Sequence, residues 1–345
     1  MRRAFLAAAL AIGTAVASFA TAVPASAQVI VVLPGESIQE AVHTAQPGDT
    51  IIVQAGEYRE SVSIRKDDIT IQGAGASDTG TVLLPPTSET RVCGRGAAGF
   101  CMLGFKASDG VISNTNISGF KIDGFPAFGI IVVAGAGAVF ENNLASNDGE
   151  YGIAAFDSTR VRMIGNTATG NGEAGLYVGD SRRARATIQN NQVFGNGAFG
   201  IFLRDAATGD VSGNDVHDNC TGIMILNTPG PVNAGRYDIH DNSVHTNNEF
   251  CPGFEEEGFP PTSGNGVAVI GGRRVQIHDN EIRRNRPSDD VPFHGGVVII
   301  SFPGGSAPRD NEVRNNVLFR NRPNVFSDGT GSGNVVEGNV CTPDC

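Results

Sequence analysis

The chain has 345 residues, with 36 acidic and 25 basic side chains that give a formal net charge of −11. This acidity argues against a nucleic-acid-binding protein, because the phosphate backbone repels negative charge. The chain also contains 46 glycines, which argues against helical repeats, since glycine is unfavourable within helices. The composition therefore favours a β-rich protein with many turns.

The N-terminal segment has the features of a secretion signal. Arg2 and Arg3 precede an apolar run over residues 4–20, and Ala25-Ser-Ala27 fits a cleavage site. No later apolar run is long enough to cross a membrane. We therefore expect residues 1–27 to be a signal peptide. Residues 28–345 should form one secreted, extracellular, monomeric domain without a membrane span.

Secretion would place the six cysteines in an oxidising compartment, where disulfides form. Pairing of sequence neighbours would pin three loops, and it is one of several connectivities that six cysteines allow. The predicted disulfides are Cys93–Cys101, Cys220–Cys251 and Cys341–Cys345.

A short amphipathic helix is predicted over residues 37–45, after a first strand at residues 29–33. Ser37 and Glu40 fit a capping box, and apolar residues follow one face of the helix. Such a helix would cover the open end of a stacked structure, where strand edges and core residues are otherwise exposed. Further strands are predicted at Thr50–Val53, Val62–Ile64 and Ile69–Ile71.

Four short motifs occur in this region. They are Ile38-Gln-Glu-Ala-Val, Pro47-Gly-Asp-Thr-Ile51, Gly56-Glu-Tyr-Arg-Glu60 and Ile69-Thr-Ile-Gln-Gly-Ala-Gly75. The region resembles the N-terminal part of pectate-lyase-like β-helix proteins, which include lyases, esterases and non-enzymatic accessory proteins. The resemblance implies a right-handed parallel β-helix but no single activity. The catalytic motifs of pectin methylesterases and polygalacturonases are not matched, so no catalytic residue is carried over.

A repeated asparagine motif dominates the rest of the chain. Its frame is Asn-x-aliphatic-x-x-Asn, and several successive copies lie 23 to 25 residues apart. The copies begin at Asn142, Asn166, Asn191, Asn214, Asn242, Asn280 and Asn316, and Asn339 begins a further copy. A period of this size is typical of a solenoid in which each repeat forms one coil.

Two strand signals keep the same phase as the asparagines. A glycine followed by an aliphatic residue opens alternating strands such as Gly200-Ile-Phe-Leu-Arg204, and apolar pairs such as Met163-Ile164 precede the motif. Each coil therefore carries about three short strands separated by turns rich in Gly, Asn and Asp. Stacking of these coils predicts an all-β, right-handed parallel β-helix.

Residues at matching positions of such coils form columns. We expect the asparagine column inside the body, with amides bonded to one another and to turn backbone; glycan contact is the alternative. Asp157, Asp180 and Asp205 would form a carboxylate column with about 4.8 Å per coil. This column could supply an acid and a base or recruit calcium. Alternatively, each Asp only starts a turn.

An apolar stripe is predicted on the outward face of the glycine-opened strands. If Ile201 points inward, alternation turns Tyr177, Phe202 and Met224 outward, where aromatic rings could stack on a sugar. The alternative is that a loop or a partner covers this stripe. We take Tyr177 and Phe202 as candidate substrate-binding residues, and Arg204 with the three aspartates as candidate catalytic residues.

A second candidate site contains arginines. Arg-Asn-Arg-Pro occurs at residues 284–287 and again at residues 320–323. Stacking would place Arg284 over Arg320 and Arg286 over Arg322, and guanidinium groups match the carboxylates or sulfates of acidic sugars. The alternative is ion pairing with nearby acids. These acids are Glu255, Glu256, Glu257, Asp289 and Asp290.

Histidines also fall at matching positions, His217 with His245 and His240 with His278. A metal could bridge such pairs, but we interpret them as solvent-facing strand residues and predict no metal site. His294 ends an insertion and is a candidate general acid or base; a simple turn residue is the alternative.

Together these features favour a protein that binds and processes an extracellular polysaccharide, such as one containing uronic acid, by lyase or hydrolase chemistry. The alternative is a non-catalytic β-helix that serves as a surface or adhesion module. No cofactor is predicted apart from calcium at the carboxylate column. Two long insertions, at residues 248–265 and 286–294, should flank the same face, where ligands of solenoids commonly bind.

Overall fold

Strands of each coil pair in parallel with the equivalent strands of the neighbouring coils. The computed structural model describes residues 27–345 apart from 107–109, 231–233, 254–258 and 303. Among these residues the strands form three long parallel sheets of 12, 11 and 10 strands. We name them sheets A, B and C in the order in which the repeated coils visit them. The arrangement confirms the predicted parallel β-helix.

The bounds of the elements are as follows. Sheet A contains Val29–Val32, Thr50–Val53, Thr70–Gly73, Asn116–Ser118, Val139–Glu141, Arg162–Ile164, Ala186–Gln189, Ala207–Ser212, Gly235–His240, Gln276–His278, Glu312–Arg314 and Val335–Glu337. Sheet B contains Gly56–Arg59, Thr81–Leu84, Phe120–Asp123, Leu144–Ser146, Thr167–Thr169, Gln192–Phe194, Asp215–His217, Ser243–His245, Glu281–Arg283, Val317–Phe319 and Val340–Thr342. Sheet C contains Val62–Ile64, Ala98–Leu103, Phe128–Val133, Tyr151–Phe156, Ala174–Gly179, Phe199–Arg204, Thr221–Leu226, Asn265–Ile270, Gly295–Ile300 and Val325–Ser327. A two-stranded sheet pairs Ile112–Ser113 with Gly135–Ala136, and the helical segments are Ile38–Thr44, Cys93–Gly96 and Gly104–Lys106.

The predicted N-terminal helix is confirmed at Ile38–Thr44. Ser37 caps it, and its side chain accepts a hydrogen bond from the backbone N–H of Glu40 at 3.3 Å. The carboxylate at this helix end comes from Glu60 rather than Glu40. Glu60 accepts from the first two helical amides at 2.7 and 3.1 Å, where the helix dipole favours negative charge. The apolar face of the helix is buried against the first coil.

The core is a set of aliphatic columns inside the coils. Ile153, Leu176, Ile201 and Ile223 pair in register on successive strands of sheet C, and each has 0% exposure. Alternation along each strand therefore directs one side-chain column into the body, as the sequence predicted.

Asparagine side chains form two ladders at the corners of the coils. Asn191 is 1% exposed, and its Nδ2 donates to Asn214 Oδ1 and to the Met163 carbonyl, both at 2.9 Å. This confirms the inward ladder. The ladder between sheets A and B contains Asn143, Asn166, Asn191, Asn214, Asn242, Asn280, Asn316 and Asn339. The ladder between sheets B and C contains Asp148, Asn171, Asn196, Asn219, Asn247, Asn285 and Asn321.

The ladder begins one residue later than the sequence motif predicts. Asn143, rather than Asn142, occupies the ladder, and its Nδ2 donates to Asn166 Oδ1 at 3.2 Å over a separation of 23 residues. Asn142 adopts a left-handed φ of 53° in the turn, a conformation that asparagine tolerates well. The frame from Asn142 ends on Asn147, whereas the frame from Asn143 ends on Asp148, so the sequence pattern favours the wrong residue.

The glycine and asparagine signals share one physical cause. A Cβ atom at Gly175 would lie 2.9 Å from Asn196 Nδ2 and 2.4 Å from Val193 Cγ1. At Gly200 it would lie 3.0 Å from Asn219 Nδ2. The ladder amide therefore fills the space that a side chain on the sheet C strand would need, and glycine follows each asparagine in phase.

All three predicted disulfides are present: Cys93–Cys101, Cys220–Cys251 and Cys341–Cys345. We expect peptide mapping of the unreduced protein to recover these three linked peptides and no free thiol, because each pair joins segments that are already neighbours in the fold. A linked peptide that joins Cys93 to Cys341, for instance, would contradict this arrangement.

No helix in the described part of the chain is both long and apolar enough to span a membrane. The predicted signal peptide lies outside the described residues, except for its last residue.

Candidate functional site

The outward stripe of sheet C is buried rather than exposed. Tyr177 and Phe202 point away from the coil core, yet they are only 2% and 3% exposed, with ring centroids 5.4 Å apart. Met224 is 0% exposed in the same apolar cluster. The prediction of an exposed aromatic face is therefore wrong, and neither ring can stack on a sugar in this arrangement.

Rings from both long insertions join this cluster. The ring of Phe259, in the first insertion, lies 5.9 Å from that of Phe199, and Phe293, in the second, joins the same cluster. The Cys220–Cys251 disulfide ties the first insertion to sheet C. The insertions do share one face, as predicted. They lie over the strands because burying these rings is more favourable than leaving a large apolar stripe in water.

The three aspartates do form a column, in the turn that follows sheet C. Asp157, Asp180 and Asp205 all have left-handed φ values, of 44°, 58° and 47°. The backbone N–H of Asp157 donates to the Gly179 carbonyl at 3.0 Å, and that of Asp180 donates to the Arg204 carbonyl at 3.1 Å. Each carboxylate therefore sits one coil from the next.

The carboxylate of Asp205 is engaged in structural hydrogen bonds. It is 9% exposed, and its two oxygens accept from the backbone N–H and the hydroxyl of Thr228 at 2.8 and 2.5 Å. Arg204 Nε lies 3.9 Å from the same carboxylate. These contacts hold the next turn in place, so we do not assign acid or base chemistry to Asp205.

Asp157 and Asp180 are exposed and line a groove of about 650 Å³ that crosses adjacent coils. Its other lining residues are hydroxyl-bearing or basic: Ser158, Thr159, Arg160, Ser181, Arg182, Arg183 and Arg185. Within the described part of the chain, none of these four arginines forms an ion pair; the paired arginines lie elsewhere. The groove therefore presents unpaired positive charge beside two carboxylates.

The surroundings of Asp180 alter its acidity. Desolvation by the surrounding turns raises the pKa of its carboxyl group, Arg204 opposes this effect, and the nearby carboxylates of Asp205 and Asp157 raise the pKa further. A carboxyl group with a raised pKa holds a proton to higher pH, as a general acid requires.

The second candidate cluster lies at a different corner. Sheet B strands pair Arg283 with Phe319, so Arg284 and Arg286 stack next to Arg320 and Arg322, as predicted. Arg286 Nε donates to the Arg320 carbonyl at 2.8 Å. These residues follow sheet B, whereas Asp157 and Asp180 follow sheet C, so the two sets are not brought together.

Two further expectations concern this corner. His294 Nδ1 contacts the Arg322 carbonyl at 2.5 Å, which attaches it to the turn backbone. Among the described residues, no ion pair joins these arginines to Asp289 or Asp290, and residues 255–257 lie outside the described residues. The proposed pairing with Asp289 and Asp290 is therefore not formed.

The histidine pairs stack as their positions predicted. The rings of His217 and His245 are 4.9 Å apart, and those of His240 and His278 are 5.2 Å apart, with the planes of each stacked pair nearly parallel. Every one of these imidazoles contacts an Asp carboxylate within 3.2 Å. They are partly buried rather than freely solvent-facing.

Sequence reasoning missed part of the groove. The sequence pattern assigns no site role to Arg160, Arg182, Arg183 or Arg185. The signal was the run Ser181-Arg-Arg-Ala-Arg185 directly after Asp180. By itself, such a run is typical of a solvent-exposed turn. Only the structure shows that Asp157 and Arg160 of the preceding coil line the same groove.

These features define a parallel β-helix with a polar groove along one corner. The chain belongs to the right-handed β-helix family, because the model of the right-handed β-helix region matches residues 87–244 and 182–342. This match also supports the predicted hand of the coil. A comparison with curated protein sequences finds no significant match.

Solved structures with a similar fold share little sequence with this chain. The A-module of the mannuronan C-5 epimerase AlgE4 of Azotobacter vinelandii has 16% identity and a TM-score of 0.54, covering 88% of this chain and 89% of its own. DFA-IIIase from Arthrobacter chlorophenolicus A6 has 15% identity and a TM-score of 0.54, with 87% and 79% covered. The periplasmic alginate epimerase AlgG has 14% identity and a TM-score of 0.55, with 90% and 83% covered. At these identities the likeness concerns the fold alone.

Proposed function

We propose that this protein is a secreted enzyme that binds an anionic polysaccharide in the groove at Asp157 and Asp180 and cleaves it there. The observation that carries the proposal is the composition of the groove. Four arginines without ion pairs in the described structure lie beside two exposed carboxylates on adjacent coils.

The arginines account for the choice of an anionic ligand. The chain as a whole carries a net charge of −11, so general attraction to polyanions is unfavourable and a local basic site is needed. Guanidinium forks bind carboxylate and sulfate groups through two parallel hydrogen bonds. The similar folds of a mannuronan C-5 epimerase and an alginate epimerase support a role on polysaccharides.

The carboxylates account for the chemistry. Asp180, with its raised pKa, would donate a proton to the leaving glycosidic oxygen while Asp157 attacks the anomeric carbon. Water would then hydrolyse the glycosyl–Asp157 ester, with Asp180 accepting the proton of the water. Adjacent coils are about 4.8 Å apart, close to the roughly 5–5.5 Å between the carboxyl groups of retaining glycosidases. The arrangement therefore favours hydrolysis over elimination.

The first test is a screen of the purified protein against polyuronate, sulfated and neutral polysaccharides. Binding is measured at low and high salt, and both reducing ends and unsaturated products are followed. We expect binding of an anionic polymer that weakens with salt and new reducing ends without unsaturated products. Unsaturated products would instead identify a lyase, and preference for a neutral polymer would contradict the role of the arginines.

The second test replaces the groove residues. We expect Asp180→Asn to lower turnover by about 10²–10⁴-fold while binding persists, because the amide cannot donate the carboxyl proton. Asp310→Asn is a matched control, since Asp310 is also exposed and left-handed, with a φ of 55°. Full turnover in the Asp180 variant would place the chemistry elsewhere.

The third test determines which of the two arginine clusters binds the polymer. The double variant Arg182→Gln with Arg183→Gln should weaken binding of the polymer at least tenfold, since each fork contributes about 1.5–3 kcal/mol through charged hydrogen bonds. The double variant Arg284→Gln with Arg320→Gln should leave binding unchanged. The opposite pattern would move the site to the corner after sheet B.

Binding without turnover by the wild-type protein would favour the second candidate function, a non-catalytic surface or adhesion module. The hydrogen bonds between Asp205 and Thr228 favour this second function, because they give one member of the carboxylate column a purely structural role.

A further inference from the structure

The outward face of sheet A carries a second polar cluster, which is not part of the groove lining. Asp210 and Asp238 pair in register on the neighbouring strands Ala207–Ser212 and Gly235–His240, and His240 lies two residues after Asp238. The core residues Val211 and Ile239, which follow Asp210 and Asp238 directly on these strands, have 0% exposure, so the three polar side chains point outward. Strand positions hold such side chains more firmly than loops do.

The donor atoms of the cluster converge. One carboxylate oxygen from Asp210, one from Asp238 and one ring nitrogen of His240 lie within 4.8 Å of one another. His240 Nε2 and Asp210 Oδ2 are 3.1 Å apart. Donors around a tetrahedral zinc ion, each about 2.1 Å from the metal, are separated by about 3.4 Å. Small side-chain rotations would therefore place all three atoms around one ion.

The remaining polar atoms of two of these side chains are already engaged. Asp241 Oδ2 lies 2.7 Å from His240 Nδ1, and Asp210 Oδ1 accepts from Ser212 Oγ at 2.7 Å and from Gln189 Nε2 at 2.9 Å. These bonds leave His240 Nε2 and Asp210 Oδ2 facing each other. Metal-binding histidines usually have a carboxylate or carbonyl on the other ring nitrogen, which is the arrangement of His240.

The third side chain is positioned from the next coil. His278 Nε2 lies 2.7 Å from Asp238 Oδ1, and the ring of His278 stacks on that of His240 at 5.2 Å and 4°. An ion can reach the cluster, because the side chains of His240, Asp210 and Asp238 are 24%, 37% and 45% exposed.

We propose that Asp210, Asp238 and His240 form a binding site for a divalent transition-metal ion such as zinc, with water completing the coordination. Zinc accepts both imidazole nitrogen and carboxylate oxygen, whereas calcium takes oxygen ligands. His278 and Asp241 are positioning residues, since each holds a ligand by a hydrogen bond. The inference replaces the expectation of no metal site, and it does not depend on the polysaccharide proposal.

The test uses the mature protein without a polyhistidine tag, stripped with EDTA and dialysed. Isothermal titration with zinc chloride should give one ion per chain, and a parallel titration with calcium chloride should show at least tenfold weaker binding. His240→Ala and Asp238→Asn should each weaken zinc binding at least tenfold, and Asp241→Asn should weaken it by about 10–100-fold, as loss of a supporting hydrogen bond does. Circular dichroism without zinc checks that each variant is folded.

His217→Ala is the matched control. His217 also stacks on a second histidine, at 4.9 Å, and contacts an adjacent aspartate, Asp218, at 2.8 Å. Within the described residues it belongs to no three-donor group. Zinc binding should be unchanged in this variant. The proposal is overturned if the wild-type chain binds no stoichiometric zinc, if zinc binding survives both His240→Ala and Asp238→Asn, or if only His217→Ala abolishes it.

Discussion

Replacing Asn214 with Leu should lower the free energy of unfolding by about 3–6 kcal/mol. Asn214 Nδ2 donates to the Ile188 carbonyl and to Asn242 Oδ1, both at 2.9 Å. Its Oδ1 accepts from the backbone N–H and the Nδ2 of Asn191 at 3.0 and 2.9 Å. Leucine can make none of these bonds, and each buried partner left unpaired costs about 1–3 kcal/mol.

The measurement is urea denaturation of the Asn214→Leu variant beside Gln192→Leu. Gln192 is also an amide residue next to the ladder, but its side chain is exposed on sheet B. The control should therefore change stability by no more than about 0.5 kcal/mol. Equal stability of the two variants would mean that the ladder contributes little and that the aliphatic columns alone hold the coils in register.

The repeat explains why so much of this fold could be predicted. At the corner between sheets B and C, one close contact requires an amide with a glycine beside it, as at Gly175 and Asn196, and the requirement recurs in coil after coil. Periodicity therefore reports three-dimensional neighbours directly. The disulfide pairs were predictable because each joins a cysteine to its nearest cysteine in sequence, 8, 31 and 4 residues away.

Features outside the repeat were not predictable in the same way. Phe259 and Phe293 lie in insertions, and no period shows which strand an insertion packs on. Their place in the apolar cluster that contains Tyr177 and Phe202 appears only in three dimensions. The role of Asp205 depended likewise on Thr228, which lies 23 residues later in a turn. The sequence correctly predicted which residues stack in a column. The exposure and the partners of each of these residues depend on where the loops pack.

Asp148 interrupts the second ladder, and Asp148→Asn should stabilise the protein. Asp148 is 1% exposed; its Oδ1 accepts from the backbone N–H of Phe125 at 2.9 Å, but its buried Oδ2 has no partner. In the next coil, Asn171 Nδ2 donates to Asn196 Oδ1 at 2.9 Å and to the Ala145 carbonyl at 3.4 Å. An amide at position 148 could make the equivalent bonds, which should add about 1–3 kcal/mol at neutral pH.

The stability gained by Asp148→Asn should depend on pH, and the environment of Asp148 determines the direction of this dependence. Burial raises the pKa of this carboxyl group well above its usual value, the Phe125 N–H opposes the rise, and the Asp123 carboxylate adds to it. The folded protein therefore holds a proton that the unfolded chain releases at about pH 4. Wild-type stability should fall as pH rises from about 4 through the raised pKa, because over this window the folded state binds more protons than the unfolded state.

The difference in unfolding free energy between Asp148→Asn and wild type should thus be smallest below about pH 4 and grow until the raised pKa is passed. Denaturation at a series of pH values measures it, with Asp310→Asn as the control for removal of an exposed carboxylate. A variant that is less stable than wild type at every pH, or a difference that does not change with pH, would contradict the assignment of Asp148 as a buried carboxyl group that occupies an amide position.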